Sequence, residues 1–504
     1  MRYLNYYAMQ TFSISKSPRI GEALPILTED QQRALGKIDT WLQSHVPYFL
    51  LTGYAGTGKT FLTSILVDLV KQSAWNGIAI TTPTHQAKLV LSNTLAKNGV
   101  NVTDSRIGIS TVHSFLGLLE TYDDDGNITF KPSGDMPPYA KSELDILIVD
   151  EASMVGKDLM EYIDEAQRVT DCHVIFVGDR MQIPPVNEDE SMPFKLLYNK
   201  HIKFGLGDST YNLETIVRQK EGNPIIDVAY DIRLRAQGKY PVKNYNLNLQ
   251  AVHNDPRIQV CYSLEDDAIQ ELLSKPEVRE EARYMKLIAY RNVFVSQYNT
   301  YIRNKLYPEA KGIPYVVGDR LILHEPLLDE SGKRILLPNN AEVVVMNAST
   351  EMDGGGDYQF TVWKLTVSCP EILGAGTTVV LTARPLDDPT YKEVVQILKD
   401  SAKAFPKGSQ LAKSAWYDYF QFIKQYVKVT HSYAITCHKS QGSTYQWTII
   451  DEQDVFSCSR PYEAARIAYT AITRAAVGVI LLRPSTMIRR TRLLLEAENK
   501  EGGI

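Results

Sequence analysis

Apolar residues in the first 200 positions follow two alternating periods, and this alternation predicts an α/β fold. Almost uninterrupted apolar runs at 48–51, 77–82, 144–149 and 173–178 are typical of strands buried on both faces of a sheet. Between the first two runs, apolar side chains recur at helical spacing, as in Phe61, Leu62, Ile65, Leu66, Leu69 and Val70. Strands alternating with helices in this way predict a parallel sheet covered by helices.

A second α/β block begins near residue 202. Its predicted strands lie at 285–290, 432–436, 447–451 and 477–482. The block is interrupted at 313–429, where the pattern changes to the period of two that antiparallel strands show. Alternating runs separated by turn-rich stretches such as 353–356 predict a small barrel of short strands, at 320–323, 341–346, 358–367 and 377–382. A helical arm that ends at 415–420 completes the interruption.

The first block has an interruption of its own. Apolar runs at 119–122 and 128–130 flank a segment that contains Asp125-Gly126, a dipeptide typical of a hairpin turn. We therefore expect an N-terminal extension (1–24) and a first core (25–200) with a hairpin insertion (117–143). The second core comprises 201–312 and 430–504, and its insertion spans 313–429.

Composition limits the class of protein without defining it. The chain has 504 residues, 44% of them hydrophobic and 22% charged, which is enough for more than one buried core. Five scattered cysteines without a C-x-x-C pair favour a reducing, cytoplasmic location and argue against a zinc site. We expect neither a signal peptide nor a transmembrane helix. Because the net charge is −5, any nucleic-acid surface must be a local channel.

The most specific motif follows the first predicted strand. It reads Gly53-Tyr54-Ala55-Gly56-Thr57-Gly58-Lys59-Thr60. This spacing is that of a loop whose backbone N–H groups surround phosphates, with a lysine that reaches the β/γ-phosphates and a hydroxyl that holds Mg²⁺. The helix that begins at the loop directs its positive dipole end at the same anion. The motif predicts that ATP and Mg²⁺ bind here.

Two further strand ends carry side chains suited to hydrolysis. Asp150 and Glu151 follow the run at 144–149, where an aspartate can hold Mg²⁺ together with Thr60 and a glutamate can polarise the attacking water. Gln182 follows the run at 173–178, where it can sense the γ-phosphate or orient water. Parallel strands end at one edge of a sheet, so we expect these groups beside the phosphate loop.

The order of these motifs over about residues 27–483 resembles the superfamily-1 helicases, in particular the 5′→3′ branch that contains RecD and Dda. The resemblance implies two RecA-like phosphate-loop NTPase cores, an SH3-like insertion and a hairpin pin that splits duplex. It implies that Gln31 reads adenine, that Arg218 and Arg474 reach the γ-phosphate from the second core, and that Gly442 lies in a motif touching nucleotide and DNA. The residues that it places on single-stranded DNA are Thr82, Pro83, His85, Thr111, His113, Asn292, Thr436, His438, Lys439 and Ser440. For the three histidines, an ordinary polar core role stays open.

The resulting hypothesis is an ATP-dependent helicase that moves 5′→3′ on single-stranded DNA and unwinds forks. The resemblance favours a monomer that acts in replication, repair or recombination, with single-strand-binding, replication or recombination proteins as partners. One alternative is a DNA-stimulated ATPase that translocates, strips proteins or aids annealing without processive unwinding. Another is a phosphate-loop kinase, against which stand the second core and its two arginines.

Overall fold

The structure, a computed structural model, describes residues 27–71, 77–122, 128–141, 143–198, 209–217, 223–236, 255–329, 334–355, 358–406 and 409–483. The predicted N-terminal extension lies outside these residues, as does the predicted Asp-Gly turn of the hairpin.

The first core contains the predicted parallel sheet. Its described strands are β1 (Tyr48–Gly53), β2 (Ile78–Thr82), β3 (Ile107–Thr111), β4 (Leu118–Tyr122), β5 (Ile128–Pro132), β6 (Ile146–Val149), β7 (His173–Gly178) and β8 (Thr210–Leu213). Six of them pair in the order β3-β2-β6-β7-β1-β8, and all of these pairs are parallel. Every residue of β1, β2, β6 and β7 is buried, which explains their continuous apolar runs.

Helices cover this sheet. They are α1 (Glu29–Leu42), α2 (Lys59–Lys71), α3 (His85–Lys97), α4 (Val112–Leu116), α5 (Lys157–Thr170) and α6 (Met192–Tyr198). The remaining pair of strands, β4 and β5, forms an antiparallel hairpin apart from the sheet. The strands of the predicted hairpin are thus confirmed.

The rest of the described chain supplies two five-stranded sheets and one two-stranded sheet. Its helices are α7 (Pro224–Ala236), α8 (Asp267–Ser274), α9 (Glu277–Glu280), α10 (Asn292–Leu306), α11 (Pro370–Leu373), α12 (Pro389–Ala404), α13 (Gln410–Lys424), α14 (Cys437–Ser440), α15 (Glu452–Val455) and α16 (Pro461–Ile472). Its strands are β9 (Ile258–Cys261), β10 (Met285–Ala289), β11 (Arg320–Leu323), β12 (Leu327–Leu328), β13 (Ile335–Leu337), β14 (Glu342–Gly355), β15 (Tyr358–Ser368), β16 (Thr378–Ala383), β17 (Val429–His431), β18 (Ala434–Thr436), β19 (Tyr445–Asp451) and β20 (Ala475–Leu482).

The second core is a parallel sheet in the order β18-β10-β19-β20-β9. The insertion between β10 and β18 forms an antiparallel sheet in the order β16-β15-β14-β11-β17. A bridge from Ala383, the last residue of β16, to Val427, two residues before β17, joins the two edges of the sheet, so the sheet curls towards closure. The predicted change from parallel to antiparallel strands is confirmed.

The length of the strands in the insertion differs from the prediction. Residues 353–356 were expected to separate two short strands, but β14 continues to Gly355, which pairs with Tyr358. Only two positions remain between these partners, which is the shortest common hairpin connection. The glycines therefore end a 14-residue strand rather than divide the sheet.

Two ion pairs, each with a buried cation, fix the insertion to the second core. Arg303 of α10 donates through Nε to Asp319 Oδ1 at 2.9 Å and through Nη2 to Oδ2 at 2.9 Å. Lys286 of β10 reaches Glu342 of β14 with a 2.6 Å Nζ–Oε2 distance. Because a buried charge that loses its partner is costly, both pairs resist separation of these sheets.

Candidate functional site

The phosphate loop lies between β1 and α2, as predicted. Gly56 and Gly58 have φ angles of 86° and 79°, a region that favours glycine. Lys59 Nζ donates to the carbonyl of Gly53 at 2.7 Å and to that of Tyr54 at 3.0 Å. The ammonium is therefore held over the start of the loop, where phosphate oxygens can replace the two carbonyls as acceptors.

Gln31, the predicted adenine reader, packs directly against this loop. Its Nε2 donates to the Thr57 carbonyl at 3.2 Å, and its Oε1 accepts from the Thr28 N–H at 3.1 Å. A Cβ added to Gly58 would lie 2.5 Å from Gln31 Nε2, so the close approach requires glycine. The structure thus places Gln31 at the Thr57 and Gly58 end of the loop, with its amide engaged in local bonds.

The carboxylate pair follows β6 at the carboxyl edge of the same sheet. Glu151 has a φ of 52°, and its N–H donates to Asp150 Oδ1 at 2.9 Å. Burial and the neighbouring Glu151 raise the pKa of Asp150 to about 7. A divalent cation would favour the ionised carboxylate, so the site has the chemistry expected for Mg²⁺ beside Thr60. Within the described ranges there is no cluster of three or more His, Cys, Asp or Glu side chains that would hold a metal without the help of a nucleotide.

Gln182 is buried beyond the end of β7. Its side-chain Oε1 has no hydrogen-bond partner among the described residues. Buried polar atoms are seldom left without a partner in folded proteins. The free carbonyl oxygen fits the predicted role of orienting a water molecule.

Arg474, the predicted arginine of the second core, is turned towards its own core. Its guanidinium donates to the Thr470 carbonyl at 3.1 Å and to the Ser443 carbonyl at 3.2 Å. Arg218, the other predicted arginine, lies outside the described residues. Their roles at the γ-phosphate stay predictions.

Tyr469 joins the two cores at the phosphate loop, and its role was not predicted. Its hydroxyl donates to Asp179 Oδ2 at 2.7 Å and accepts from the Ala55 N–H at 2.9 Å. Asp179 is fully buried and follows β7. The phenol therefore links α16 to the phosphate loop and to the segment after β7. The only signal in the sequence is that Tyr469 precedes the predicted Arg474 by little more than one helical turn.

A cavity of about 360 Å³ opens next to this contact. Its lining includes Tyr54, Ala55 and Gly56 of the phosphate loop and Tyr469 and Thr473 of the second core. The cleft between the cores is therefore lined from both sides at the loop, as a composite nucleotide site requires.

In the first core, the predicted DNA-contacting residues occupy the ends of β2 and β3. Thr82 donates to the Thr84 carbonyl at 2.9 Å and precedes the half-buried Pro83, while Thr111 caps α4 by accepting from Ser114 N at 3.2 Å. Burial lowers the pKa of His113, and burial, Lys88 and His113 lower the pKa of His85 to about 4. These neighbouring rings are neutral at pH 7.

The hairpin touches this surface. The His113 ring lies 4.5 Å from the ring of Phe130 on β5, measured between centroids. Phe130 is 44% exposed and Leu119 on β4 is 56% exposed. An exposed apolar hairpin thus stands beside a predicted strand-binding loop.

In the second core, the predicted DNA-contacting residues lie around α14 and at the start of α10. Thr436 caps α14, and Ser440 donates to the Cys437 carbonyl at 2.7 Å. The His438 ring is 6.2 Å from that of Tyr290, which closely precedes the exposed Asn292. These residues therefore form one neighbourhood at the carboxyl edge of the second sheet.

Two contacts bring this neighbourhood to the first core. Gln441 Nε2 donates to the Ile183 carbonyl at 3.0 Å. A Cβ added to Gly442, whose φ is 74°, would lie 3.1 Å from Ala87 Cβ on α3. The segment that follows Lys439 and Ser440 thus contacts both α3, whose first residue is the predicted DNA contact His85, and the loop of Gln182.

No helix in the described part of the chain has the length and apolar character needed to cross a membrane.

Comparison with known proteins gives two matches to family models. Residues 26–250 match an AAA domain, and residues 431–482 match a UvrD-like helicase C-terminal domain. The chain is 26% identical over 483 residues to the ATP-dependent DNA helicase Dda of Enterobacteria phage T4, covering 90% of this chain and 98% of Dda. It is 31% identical over 208 residues to the ATP-dependent RecD2 DNA helicase of Deinococcus radiodurans, covering 41% of this chain and 24% of RecD2. A crystal structure of Bacteroides Pif1 bound to single-stranded DNA aligns with a TM-score of 0.46 and 19% identity over 94% of this chain and 98% of that one.

The fold and the site define a phosphate-loop NTPase with two parallel-sheet cores. The sequence matches confirm the predicted resemblance of this NTPase to the superfamily-1 helicases of the RecD and Dda type.

Proposed function

We propose that the chain is an ATP-dependent DNA helicase that moves 5′→3′ along single-stranded DNA and separates the duplex ahead of it. One observation carries the proposal: Tyr469 of the second core binds the backbone of the phosphate loop and the buried Asp179 of the first core. A nucleotide bound in this cleft would touch both cores, so its hydrolysis would change their separation.

Different residues of the cleft carry out different parts of ATP hydrolysis. The loop amides and Lys59 would hold the phosphates, while Thr60 and Asp150 would hold Mg²⁺, which would supply neutralisation of the phosphate charge. Glu151 polarises the attacking water, and the free Oε1 of Gln182 orients it. Arg474 leaves its two carbonyl partners to stabilise the charge that develops on the terminal phosphate.

The proposed path of single-stranded DNA crosses both cores. It follows the loops of His85 and His113 in the first core and those of Asn292, His438 and Lys439 in the second. The contact of Gly442 with Ala87 supports this path because it joins the two sets of loops. Neutral rings and hydroxyl groups suit contacts to bases and sugars that tolerate any sequence.

The finer assignments are part of the same proposal. The hairpin β4–β5 acts as the pin that splits duplex, and the antiparallel sheet is an SH3-like accessory domain. We propose the domain limits that the sequence predicts: a first core at 25–200 and a second core at 201–312 and 430–504, with insertions at 117–143 and 313–429. The protein works as a monomer, with forked DNA as its substrate.

Strand displacement tests the function directly. Forks that carry only a 5′ tail or only a 3′ tail are incubated with the protein, with and without ATP, and Lys59→Ala serves as the inactive control. We expect ATP-dependent unwinding of the 5′-tailed fork alone. Unwinding that required a 3′ tail would contradict the polarity, and ATPase activity indifferent to single-stranded DNA would contradict the helicase itself.

A translocase without strand separation is the second candidate, and the exposed hairpin distinguishes it from a helicase. Replacing residues 119–131 by a short glycine linker should abolish unwinding but leave ATPase activity and translocation. The matched control is Lys131→Ala, whose side chain alternates with Phe130 on β5 and so points to the opposite face. If unwinding survives removal of the hairpin, the hairpin is not the pin.

A further inference from the structure

A guanidinium group from the second core lies against the phosphate loop, and none of the predicted motifs includes it. Arg233 of α7 stacks on the ring of Tyr54, with 3.8 Å from Cζ to the ring centroid. The same Cζ lies 4.4 Å from the centroid of the Tyr230 ring. The guanidinium therefore contacts two tyrosine rings at the wall of the 360 Å³ cavity that also borders Ala55 and Gly56.

The charge of Arg233 has no acceptor among the described residues. Its Nε is buried and makes no hydrogen bond to a described residue, and no carboxylate within the described ranges pairs with it. Arg235, on the same helix, instead pairs with Asp231 at 2.9 Å. A buried donor without an acceptor costs stability. Arg233 is therefore placed to bind an anionic ligand.

The position along the loop identifies which part of a nucleotide would meet Arg233. Its partner Tyr54 also supplies a carbonyl to Lys59 Nζ, the group that reaches the β/γ-phosphates. Gln31, at the predicted adenine end, contacts Thr57 instead. The cavity beside Arg233 therefore lies at the terminal-phosphate end of the loop.

We infer that Arg233 binds the terminal phosphate of the bound nucleoside triphosphate, so that the second core senses whether the phosphate loop holds a triphosphate or a diphosphate. The inference rests on the proposed function. A planar guanidinium offers several donors in a fixed fork, which suits phosphate oxygens better than an ammonium group does. Contact with the rings of Tyr54 and Tyr230 restricts the orientation of this fork before the ligand binds.

Equilibrium binding tests the inference without relying on turnover. Affinities for Mg–AMP-PNP and Mg–ADP are measured by calorimetry for the unmodified protein, Arg233→Met, Arg233→Lys and the control Arg235→Met. We expect Arg233→Met to bind AMP-PNP about tenfold more weakly, since one charge-assisted hydrogen bond is lost, with ADP affinity unchanged. The affinity of Arg233→Lys for AMP-PNP should lie between that of Arg233→Met and that of the unmodified protein. Arg235→Met should bind both nucleotides as tightly as the unmodified protein does.

The outcomes separate this inference from the proposed function. An equal loss for both nucleotides in Arg233→Met would show that the residue only packs the cleft, and unchanged affinities would show that it makes no contact. Either result overturns the inference and leaves the ATPase proposal standing. An unmodified protein that binds neither nucleotide would overturn both.

Discussion

At the scale of single residues, the side chains of the cleft are held by local bonds that a nucleotide must replace. Lys59 donates to two carbonyls of its own loop, and Arg474 donates to two carbonyls of its own core. Charge-assisted bonds to phosphate oxygens are stronger than bonds to neutral carbonyls, so the exchange is favourable when ATP binds.

Lys59→Ala should abolish ATP hydrolysis, because it removes the only side-chain cation that the loop motif provides for the phosphates. Binding to single-stranded DNA should persist, since the predicted DNA contacts lie on other loops. Phosphate release and fluorescence anisotropy measure the two properties. Lys157→Ala, at an exposed side chain, is the matched control. Loss of DNA binding together with hydrolysis would indicate a folding defect and contradict a local role.

Arg474→Ala should lower kcat about 10³-fold at saturating single-stranded DNA if the guanidinium stabilises the transition state. Arg474→Lys should not restore the rate, because the ammonium lacks the planar fork. Because Arg474 is buried, circular dichroism must show that both variants are folded. A near-normal kcat in Arg474→Ala would remove the arginine from the catalytic machinery.

At the scale of secondary-structure elements, the sequence predicts strands well where burial is uniform and less well where it alternates. The strands β1, β2, β6 and β7 are recognisable because parallel strands covered on both faces must be apolar throughout. The outer half of β14 is largely exposed and polar and ends in glycines, so only its pairing with β15 defines it as a strand. Such pairing is a long-range property that local pattern does not contain.

A contact between elements also sets a pH dependence. His324, which follows β11, accepts from Lys439 of α14 through a 3.0 Å Nζ–Nδ1 contact, and its Nε2 lies 2.8 Å from Thr430 Oγ1. Burial and the cations Lys439, Lys428 and Arg384 lower the pKa of His324 to about 4. The ring is therefore neutral at pH 7 and joins the insertion to a predicted DNA-contacting loop.

The sign of the effect follows from proton binding. Between pH 6.5 and 4 the unfolded chain binds a proton at His324 that the folded chain does not, so the contribution to stability is present above pH 6.5 and is lost as the pH falls. The free energy of unfolding, measured with urea, should therefore decrease less between pH 7 and pH 5 in His324→Gln than in the unmodified protein. His45→Gln, at an exposed position, serves as the control and should leave the slope unchanged. An unaltered pH slope in His324→Gln would show that the histidine is not held neutral.

At the scale of the whole molecule, motif order predicts which strand ends carry candidate site residues, and parallel topology places these ends at shared edges of the sheets. Asp150 and the phosphate loop both follow strands of the first sheet, so their proximity required no knowledge of side-chain packing. Tyr469 and Arg233 could not be found in this way. Their partners lie on distant segments, and the packing of the two cores, rather than any local pattern, decides which side chains meet.

The contact of Tyr469 with the phosphate loop gives the test at this scale. Tyr469→Phe keeps the ring but removes the hydroxyl that accepts from Ala55 N and donates to the buried Asp179. Losing a hydrogen bond of about 1 kcal/mol should raise the rate of amide exchange in the loop peptide 53–58 about fivefold. Hydrogen–deuterium exchange with mass spectrometry measures this rate directly.

Tyr462→Phe is the matched control, since Tyr462 lies on the same helix α16 but is 56% exposed. It should leave exchange in the loop unchanged. In Tyr469→Phe the looser contact should also increase the radius of gyration in small-angle X-ray scattering, because the phenol is one of the bonds that hold the cores together. If neither exchange nor radius changed, the two cores would be joined by other contacts, such as that of Gln441 with Ile183, and the phenol would not link nucleotide binding to their closure.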